Sequence, residues 1–486
     1  MTASTSTENS RVKPNMIHGN ASNIEPFSET ALSLFHAAMG ASDDAEINEN
    51  HELTLGGTTV SELVEGFGAP LFVISETTLR SNFHRFRSAF HSCWDESVEV
   101  LYAVKANPNP VLCRILSEEG AGFDCTGYGE LKLAIEYGRC PAKTTLNGSN
   151  KTQHELKLAI EAGAMIVVDV ESDLSQLAYA ASGMQSHVKV LIRLKAFDAE
   201  LMANFESDAY PSGDGAAQVL ARKKWGLGFE AAKRVIEKTK AVSQLELAGY
   251  HLHIGRLTRN ADAIRANATA LSTLIGDLNT ATGFSPKIID IGGGWPSDRD
   301  PEARTDKLNP FSIEDYADCV CAALREGLNR SGMKTPILWL EPGRYLVNNA
   351  GVLLTRVGCI KHDEDRCWVN VDASGEWLVL TTLHGARNLI VPTSRMERNL
   401  SLVADVVGPN CIPAVFGKDR PLPELERGEM LAVFDAGAYG ESQASQFNSI
   451  PRPASVLVCR GNADLVTRRE TIDDLFARYV TPERFE

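Results

Sequence analysis

No stretch of this chain stays apolar for the roughly 18 residues a membrane helix needs, and its start lacks the basic region followed by an apolar one that marks a secreted protein. A cytoplasmic protein without a membrane partner is expected. The ten cysteines are scattered, with no Cys-x-x-Cys pair and no histidine at zinc-ligand spacing, so a disulfide framework or structural metal site has no support. They read as small buried hydrophobes. Cations are outnumbered, 48 Lys and Arg against 63 Asp and Glu, which argues against nucleic acid or an anionic membrane surface as a partner. Internal repeats and long low-complexity segments are absent as well.

What is present is 486 residues, too many for one small core, which suggests two domains or a large barrel with additions. Met1 to about Asn20 is rich in Ser, Thr and Asn and reads as a flexible tail. Ser28–Met39 reads as a short helix with Ser28 as N-cap and Leu32, Phe35 and Met39 on one face, needing to dock to be stable. From residue 98 eight strand-like runs alternate with helical periodicity: Val98–Val104, Gly122–Asp124, Thr144–Asn147, Met165–Asp169, Val188–Arg193, Leu247–His253, Lys287–Asp290 and Ile337–Glu341. Helical candidates between them include Val111–Glu119, Gly129–Tyr137, Gln153–Ala162, Ala261–Asn279 and Ile313–Asn329. Strict alternation implies a parallel sheet, and eight such strands fit a closed (β/α)8 TIM-like barrel, an α/β fold. Beyond residue 345 short strands dominate, among them Cys367–Val371, Ser401–Val407, Met430–Phe434 and Ala454–Cys459, which reads as a separate β domain. Leu53–Leu63 and the strand-like Pro70–Ser75 precede the barrel and are expected to complete that domain. The expected division is a flexible extension with a short helix over 1–50, the N-terminal part of the β domain over 51–75, the barrel over 76–344 and the C-terminal β domain over 345–486.

The strand ends carry the chemistry. Val98 to Val104 is apolar or β-branched at most positions, ends at Lys105, and is stopped by two Asn-Pro steps that cannot supply ladder N–H groups. Lys105 thus stands where α/β barrels place catalytic groups, although a solvated strand end would read the same. Asp124, Asn147, Asp169, Arg193, His253, the Gly292–Gly294 run and Glu341 follow the other apolar runs one by one and would ring the mouth; Asn147, Asp169 and Arg193 could equally be supporting or loop-capping groups. Gly292, Gly293 and Gly294 follow a buried strand and would let backbone N–H groups approach a phosphate, or simply make a tight turn. Glu341 at a mouth needs a cationic partner, which a protonated heterocyclic nitrogen could supply, and Arg344 has the fork geometry for a phosphate or carboxylate; a plain Glu341–Arg344 ion pair is the alternative. His251 and His253 share a strand face. His253 is the better candidate for the mouth, His251 reads as a satisfied core residue, and no carboxylate follows the pair in a metal-ligand pattern. An amine, a phosphate cradle, an acid and a flat imidazole at one mouth are the parts that hold pyridoxal 5'-phosphate.

Tyr102-Ala103-Val104-Lys105-Ala106-Asn107, Gly122-Phe123-Asp124-Cys125, His251-x-His253-Ile254-Gly255, Asp290-Ile291-Gly292-Gly293-Gly294, Glu341-Pro342-Gly343-Arg344 and Gly437-Ala438-Tyr439 occur in this order. In them the chain resembles the alanine-racemase-fold decarboxylases that use pyridoxal phosphate, typified by diaminopimelate and ornithine decarboxylases, from about residue 53 to about residue 460. The resemblance implies that Lys105 carries the cofactor as a Schiff base, that His253 stacks on its ring, and that Glu341 pairs with the ring nitrogen. It further implies that Gly292–Gly294, Arg344 and Tyr439 hold the phosphate and that Asp124 lies near the Schiff base. A head-to-tail homodimer is implied too, with Cys411 of one chain entering its partner's site as proton donor. By composition alone an isolated cysteine would be core filler.

The departures fall on substrate recognition. In diaminopimelate and ornithine decarboxylases acidic residues for the distal amine follow the interface cysteine, whereas here Cys411 is followed by Ile412-Pro413-Ala414. Leu378 to Leu383, ahead of His384, lacks the arginine and tyrosine of the diaminopimelate enzymes, and Arg256 stands where they usually have serine. The expected function is decarboxylation of an amino acid or amino-acid derivative other than the standard diaminopimelate substrate, with Arg256, His384 and Arg387 as candidate substrate contacts. A racemase or epimerase on the same fold, and a non-catalytic pyridoxal-phosphate-binding or regulatory homologue, are the competing readings.

Overall fold

A computed structural model describes residues 29–182, 187–196, 224–253, 261–299, 308–364, 366–411 and 415–485. The expected tail from Met1 to Asn20, the expected N-cap Ser28 and the candidate Arg256 lie outside them.

Eight parallel strands close into a barrel in chain order: Val98–Ala103, Gly122–Cys125, Thr144–Leu146, Met165–Val168, Val188–Arg193, Leu245–His251, Ile288–Asp290 and Ile337–Leu340. Leu338 pairs back to Val98 and seals it. The sixth strand begins and ends two residues earlier than its hydrophobic pattern predicts. Leu245 and Glu246 pair with Val188 and Lys189, a bulge between Leu247 and Gly249 absorbs the shift, and His253 falls beyond the strand end.

Local signals set the boundaries. The second Asn-Pro step that stops the first strand also opens the next helix, Pro110–Glu118, where the Asn109 side chain accepts the Val111 N–H at 3.0 Å and Pro110 takes the first turn. Gln153–Ala162 is opened by a Thr152–Glu155 capping box and closed by Gly163 in the left-handed region. Leu101, Met165, Val167, Leu191, Ala248, Ile288 and Trp339 fill the barrel interior. Because side chains alternate with period two, Lys105, Asp169, Arg193, Asp290 and Glu341, two or four places on from Leu101, Val167, Leu191, Ile288 and Trp339, aim at the mouth, and on the sixth strand the bulge before Gly249 shifts that parity to His251.

The second layer is a nine-stranded sheet. Its long central strand, Gly351–Asp363, pairs with Leu71–Ser75, which in turn runs parallel to Ala454–Cys459. A strand made before the barrel therefore lies in the middle of the sheet made after it, as the apolar run Pro70–Ser75 predicts. Leu53–Leu55 belongs instead to a separate three-stranded sheet with Ala45–Ile47 and Thr58–Thr59. The early helix is Ala31–Ala38, capped by Thr30 and Ser33 rather than from residue 28. Thr30 wins because its hydroxyl accepts the Ser33 N–H while Ser33 answers the Thr30 N–H. The helix docks by burying Ala31, Phe35 and Ala38, with Phe35 against Phe434. Burial of that phenyl ring is worth roughly 1.5–3 kcal/mol.

Candidate active site

Lys105 lies in a single helical turn, Val104–Ala106, immediately beyond the first barrel strand. Its Nζ is 2.7 Å from Asp124 Oδ2 at the end of the second strand. The side chain keeps 37% of its surface open, against 1% for Asp124, because it lines the mouth while protein surrounds it. Burial alone would lower the ammonium pKa, yet Asp124, with Tyr439 and Glu341, overrides it and raises the value well above that of a free lysine. The solvated-strand-end alternative does not describe this residue.

Asp124 opens a network across the mouth. Its Oδ1 faces Thr145 Oγ1 at 3.4 Å and accepts from Asn147 Nδ2 at 3.3 Å, and Asn147 Nδ2 also faces the Glu341 carboxylate at 3.4 and 3.5 Å. The Asn147 carbonyl accepts from Arg193 at 3.4 Å, which fixes the direction of the amide. Arg193 additionally lies over the Trp225 ring at 5.6 Å, while Asp169 accepts the Gly226 N–H at 2.6 Å and holds the loop after the fifth strand. Asn147 thus joins the two acids of the site, Arg193 orients Asn147, and Asp169 caps a loop.

His251 corrects a sequence-based expectation. It is fully buried, but it is no ordinary core residue: Nε2 lies 3.3 Å from Glu341 Oε2 and 3.0 Å from Asn147 Nδ2, and Nδ1 has no partner. Burial, with Arg193 adding to it, holds its pKa well below the ordinary histidine value, so the imidazole is neutral. Nε2 is thus shared between an acceptor, Glu341, and a donor, the Asn147 amide, and each tautomer satisfies one of the two. The sequence reading found no carboxylate near the histidine pair because it looked along the chain. Two come from other strands, Asp290 and Glu341, whose oxygens approach within 4.8 Å of the imidazole and of each other. Parity was the available signal: Ile288 and Trp339 point into the barrel, so Asp290 and Glu341 must point toward its mouth.

Gly292 and Gly294 have φ of +71° and +104°. A Cβ on Gly292 would come within 2.6 Å of the Leu252 carbonyl and 2.7 Å of His253 Cα, so only glycine lets this turn pass beside the half-buried His253. Arg344 begins a short helix after the last strand, with its guanidinium 5.6 Å from the Tyr439 ring centroid. Tyr439, itself at φ +59°, is drawn to the lysine turn from the other domain: its N–H donates to the Ala106 carbonyl at 2.8 Å, and Asn107 Nδ2 donates to the Gly437 carbonyl at 3.2 Å. The fold therefore gathers Lys105, Asp124, Asn147, His251, Asp290 and Glu341 around one mouth, with the glycine turn, Arg344 and Tyr439 at its edge.

Other candidates stand apart from that cluster. Cys411 is exposed, and its N–H and thiol both face Asn448 Oδ1, at 3.2 and 3.4 Å. The Ile412-Pro413-Ala414 segment after it lies outside the described residues. His384 ends the helix Val379–His384. Arg387 donates to the Lys418 carbonyl at 3.3 Å and follows Ala386, which lines a small recess that Arg344 and Tyr439 also line.

Comparison with known proteins agrees with this geometry. Residues 76–348 match the pyridoxal-binding domain of the pyridoxal-dependent decarboxylases. The chain is 34% identical over 444 residues to a diaminopimelate decarboxylase of Methanothermobacter thermautotrophicus, covering 91% of this chain and 98% of that protein. It is 33% identical to the diaminopimelate decarboxylase of Aquifex aeolicus, covering 87% and 94%. Among solved structures, the Methanocaldococcus jannaschii diaminopimelate decarboxylase in complex with L-lysine superimposes with a TM-score of 0.84 at 29% identity, covering 92% of this chain and all of that one.

Proposed function

The chain belongs to the pyridoxal-dependent decarboxylases, and on that premise we propose which of its residues carry the reaction and what kind of substrate it takes. It is a carboxy-lyase that acts on an amino acid, and its cofactor is pyridoxal phosphate. When bound, that cofactor supplies an aldehyde for covalent attachment and a cationic ring that accepts the electron pair left behind by carbon dioxide.

The site fits such a group on three counts. Glu341 is a buried acid whose hydrogen-bonding neighbours Thr145, Asn147 and His251 are all neutral, so a ring N–H⁺ is the complement it lacks. The glycine turn leaves no room for a side chain at Gly292 or Gly293, and Gly294 has a φ of +104°. Lys105 is the open amine of the mouth. In this reading Lys105 would bind the aldehyde, Glu341 would keep the ring nitrogen protonated, His253 would lie against the ring, and the glycine turn, Arg344 and Tyr439 would hold the phosphate. Asp124 holds the Lys105 amine in place. The observation that carries the proposal is the continuous network from Lys105 through Asp124 and Asn147 to Glu341.

Cys411 donates the proton that replaces carbon dioxide, and it does so in a second copy of the chain, which makes the active form a homodimer. Exposure of Cys411 with its thiol fixed by Asn448 supports this. The substrate differs from that of the standard diaminopimelate enzymes, because apolar Ile412-Pro413-Ala414 after Cys411 cannot neutralise a distal ammonium. Arg256, His384 and Arg387 are its proposed contacts. Carbon dioxide release measured with meso-diaminopimelate beside acidic, neutral and basic amino acids tests this, and turnover fastest on diaminopimelate refutes the substrate proposal. Mixing the inactive Lys105→Ala and Cys411→Ala variants tests the shared site: random dimers restore one native site in half of the assemblies, about a quarter of wild-type sites, whereas separate sites restore none.

A further inference from the structure

Asp290 has no task in the reading above, yet it is a fully buried acid at the end of the seventh strand. One oxygen, Oδ1, accepts the Gly292 N–H at 2.8 Å; the other, Oδ2, is buried without a donor. Next to it stands Glu341, which is 1% exposed, and one oxygen of each acid lies within 4.8 Å of the other and of the His251 imidazole. Two carboxylates so close and so dry cannot both be ionised, because each would face the other's charge in a medium that screens it poorly.

One proton must therefore reside in the cluster, and the surroundings decide where. The groups that act on it are Lys105 and Asp124 at the ends of the first two strands, Arg193 from the fifth and His251 from the sixth. His251 does not take the proton, since burial and Arg193 oppose an imidazolium. Burial raises the Glu341 carboxyl pKa as well, but Glu341 has Asn147 and Thr145 as donors and feels the charges of Lys105 and Arg193, which favour its anion and have no counterpart at Asp290. Asp290 has a single backbone N–H in its favour, and burial together with Glu341 drives its carboxyl pKa well upward.

We propose that Asp290 is a positioning residue that stays a neutral carboxylic acid at neutral pH, donating its Oδ2 proton to Glu341 so that Glu341 remains the single anion at the centre of the site. Asp290 then acts as a strut between two functional parts. Its hydroxyl fixes the Glu341 carboxylate, and its carbonyl oxygen holds the Gly292 N–H that starts the glycine turn. That Glu341 meets the ring nitrogen rests on the proposed function above; the proton on Asp290 does not.

Asparagine reproduces the protonated acid atom for atom, accepting from Gly292 and donating to Glu341, so Asp290→Asn separates the two charge states. In wild type the folded protein holds a proton that the unfolded chain releases above the ordinary aspartate pKa of about 3.9, so this group's contribution to stability falls as pH rises. Asp290→Asn carries no such penalty. In the full-length protein stripped of cofactor, its melting temperature is expected to exceed that of wild type at pH 8, with the difference shrinking toward pH 4. An infrared carbonyl band of a protonated carboxylic acid should persist in wild type at pH 8 and be missing from Asp290→Asn. It should also be missing from Glu341→Gln, where the glutamine amide donates to Asp290 and lets it ionise. A lower melting temperature for Asp290→Asn at every pH, or an acid band that survives in Glu341→Gln, overturns the proposal. Titration with pyridoxal phosphate distinguishes the two readings: unchanged affinity in Glu341→Gln defeats the assignment of Glu341 to the ring while leaving the shared proton standing.

Discussion

Arg299 to methionine is the change expected to damage this protein most without touching the reacting groups. Arg299 is 2% exposed in its side chain, and its guanidinium lies 2.7 Å from Asp435 and 2.9 Å from Asp43, which are 0% and 4% exposed. It also donates to the Ala38 carbonyl at 2.5 Å and lies over the Phe434 ring. Burial opposes its charge, but Asp435 and Asp43 together raise its pKa, so the cation is permanent. Three parts of the chain meet there: the segment after the first helix, the loop after the seventh barrel strand, and the end of Met430–Val433. Methionine keeps the apolar stem and deletes the charge. Asp43 retains the Gly40 N–H and Asn349 Nδ2, both at 2.8 Å. Breaking a buried pair on one side costs about 3–5 kcal/mol, and the abandoned Ala38 carbonyl adds about 1 kcal/mol. A loss of roughly 4–6 kcal/mol is expected as a lowered urea midpoint, accompanied by faster proteolysis of residues 29–50. Weaker retention of pyridoxal phosphate should accompany it, since Asp435 anchors the segment that carries Tyr439. Adding Asp435→Asn to Arg299→Met should recover stability, because a neutral amide is cheaper to bury than a carboxylate that has lost its arginine. A loss below about 1 kcal/mol, or a double variant weaker than the single one, would refute the reasoning.

Three further outcomes are expected. Lys105→Ala should lose both the visible absorbance of bound cofactor and carbon dioxide release, to background; retention of the band by the purified variant contradicts the assignment of Lys105. Asp124→Asn removes the strongest influence raising the Lys105 pKa, so the pH at which stripped protein captures pyridoxal phosphate at half-maximal rate should fall by about 1–3 units, as stopped-flow absorbance would read. His251, whose pKa is depressed in the folded state, contributes stability that is fully present above the ordinary value of about 6.5 and lost as pH falls through it, by up to about 1.4 kcal/mol per unit; the difference between wild type and His251→Gln in urea unfolding should diminish on acidification below pH 6.5, and a difference independent of pH rules this out.

Much of this was legible in the chain. Lys105 could be placed because an apolar run ending in two Asn-Pro steps leaves few positions for a strand end, and eight such runs alternating with helical periods fix the topology through purely local rules. The Pro70–Ser75 run announced a strand, and its apolar character at every position was consistent with a place inside a sheet. Parity within strands would also have pointed Asp290 and Glu341 toward the mouth once Ile288 and Trp339 were known to face inward. His251 was misread for the reason that local patterns fail in general. Whether a buried imidazole is satisfied depends on atoms 104 and 90 residues away, on Asn147 and Glu341.

By itself the sequence determined the barrel, the order of its strands, the lysine at its mouth and the cofactor chemistry, because backbone periodicity, proline and glycine act over a few residues and leave readable marks. Only the tertiary structure decided which polar groups share charge. Barrel closure brings Asn147 between two acids, sets Asp290 against Glu341 where one proton must serve both, and locks Arg299 between Asp43 and Asp435. These are energies of distance and burial, steep over a few ångströms and indifferent to separation along the chain, and they exist only once the strands have closed.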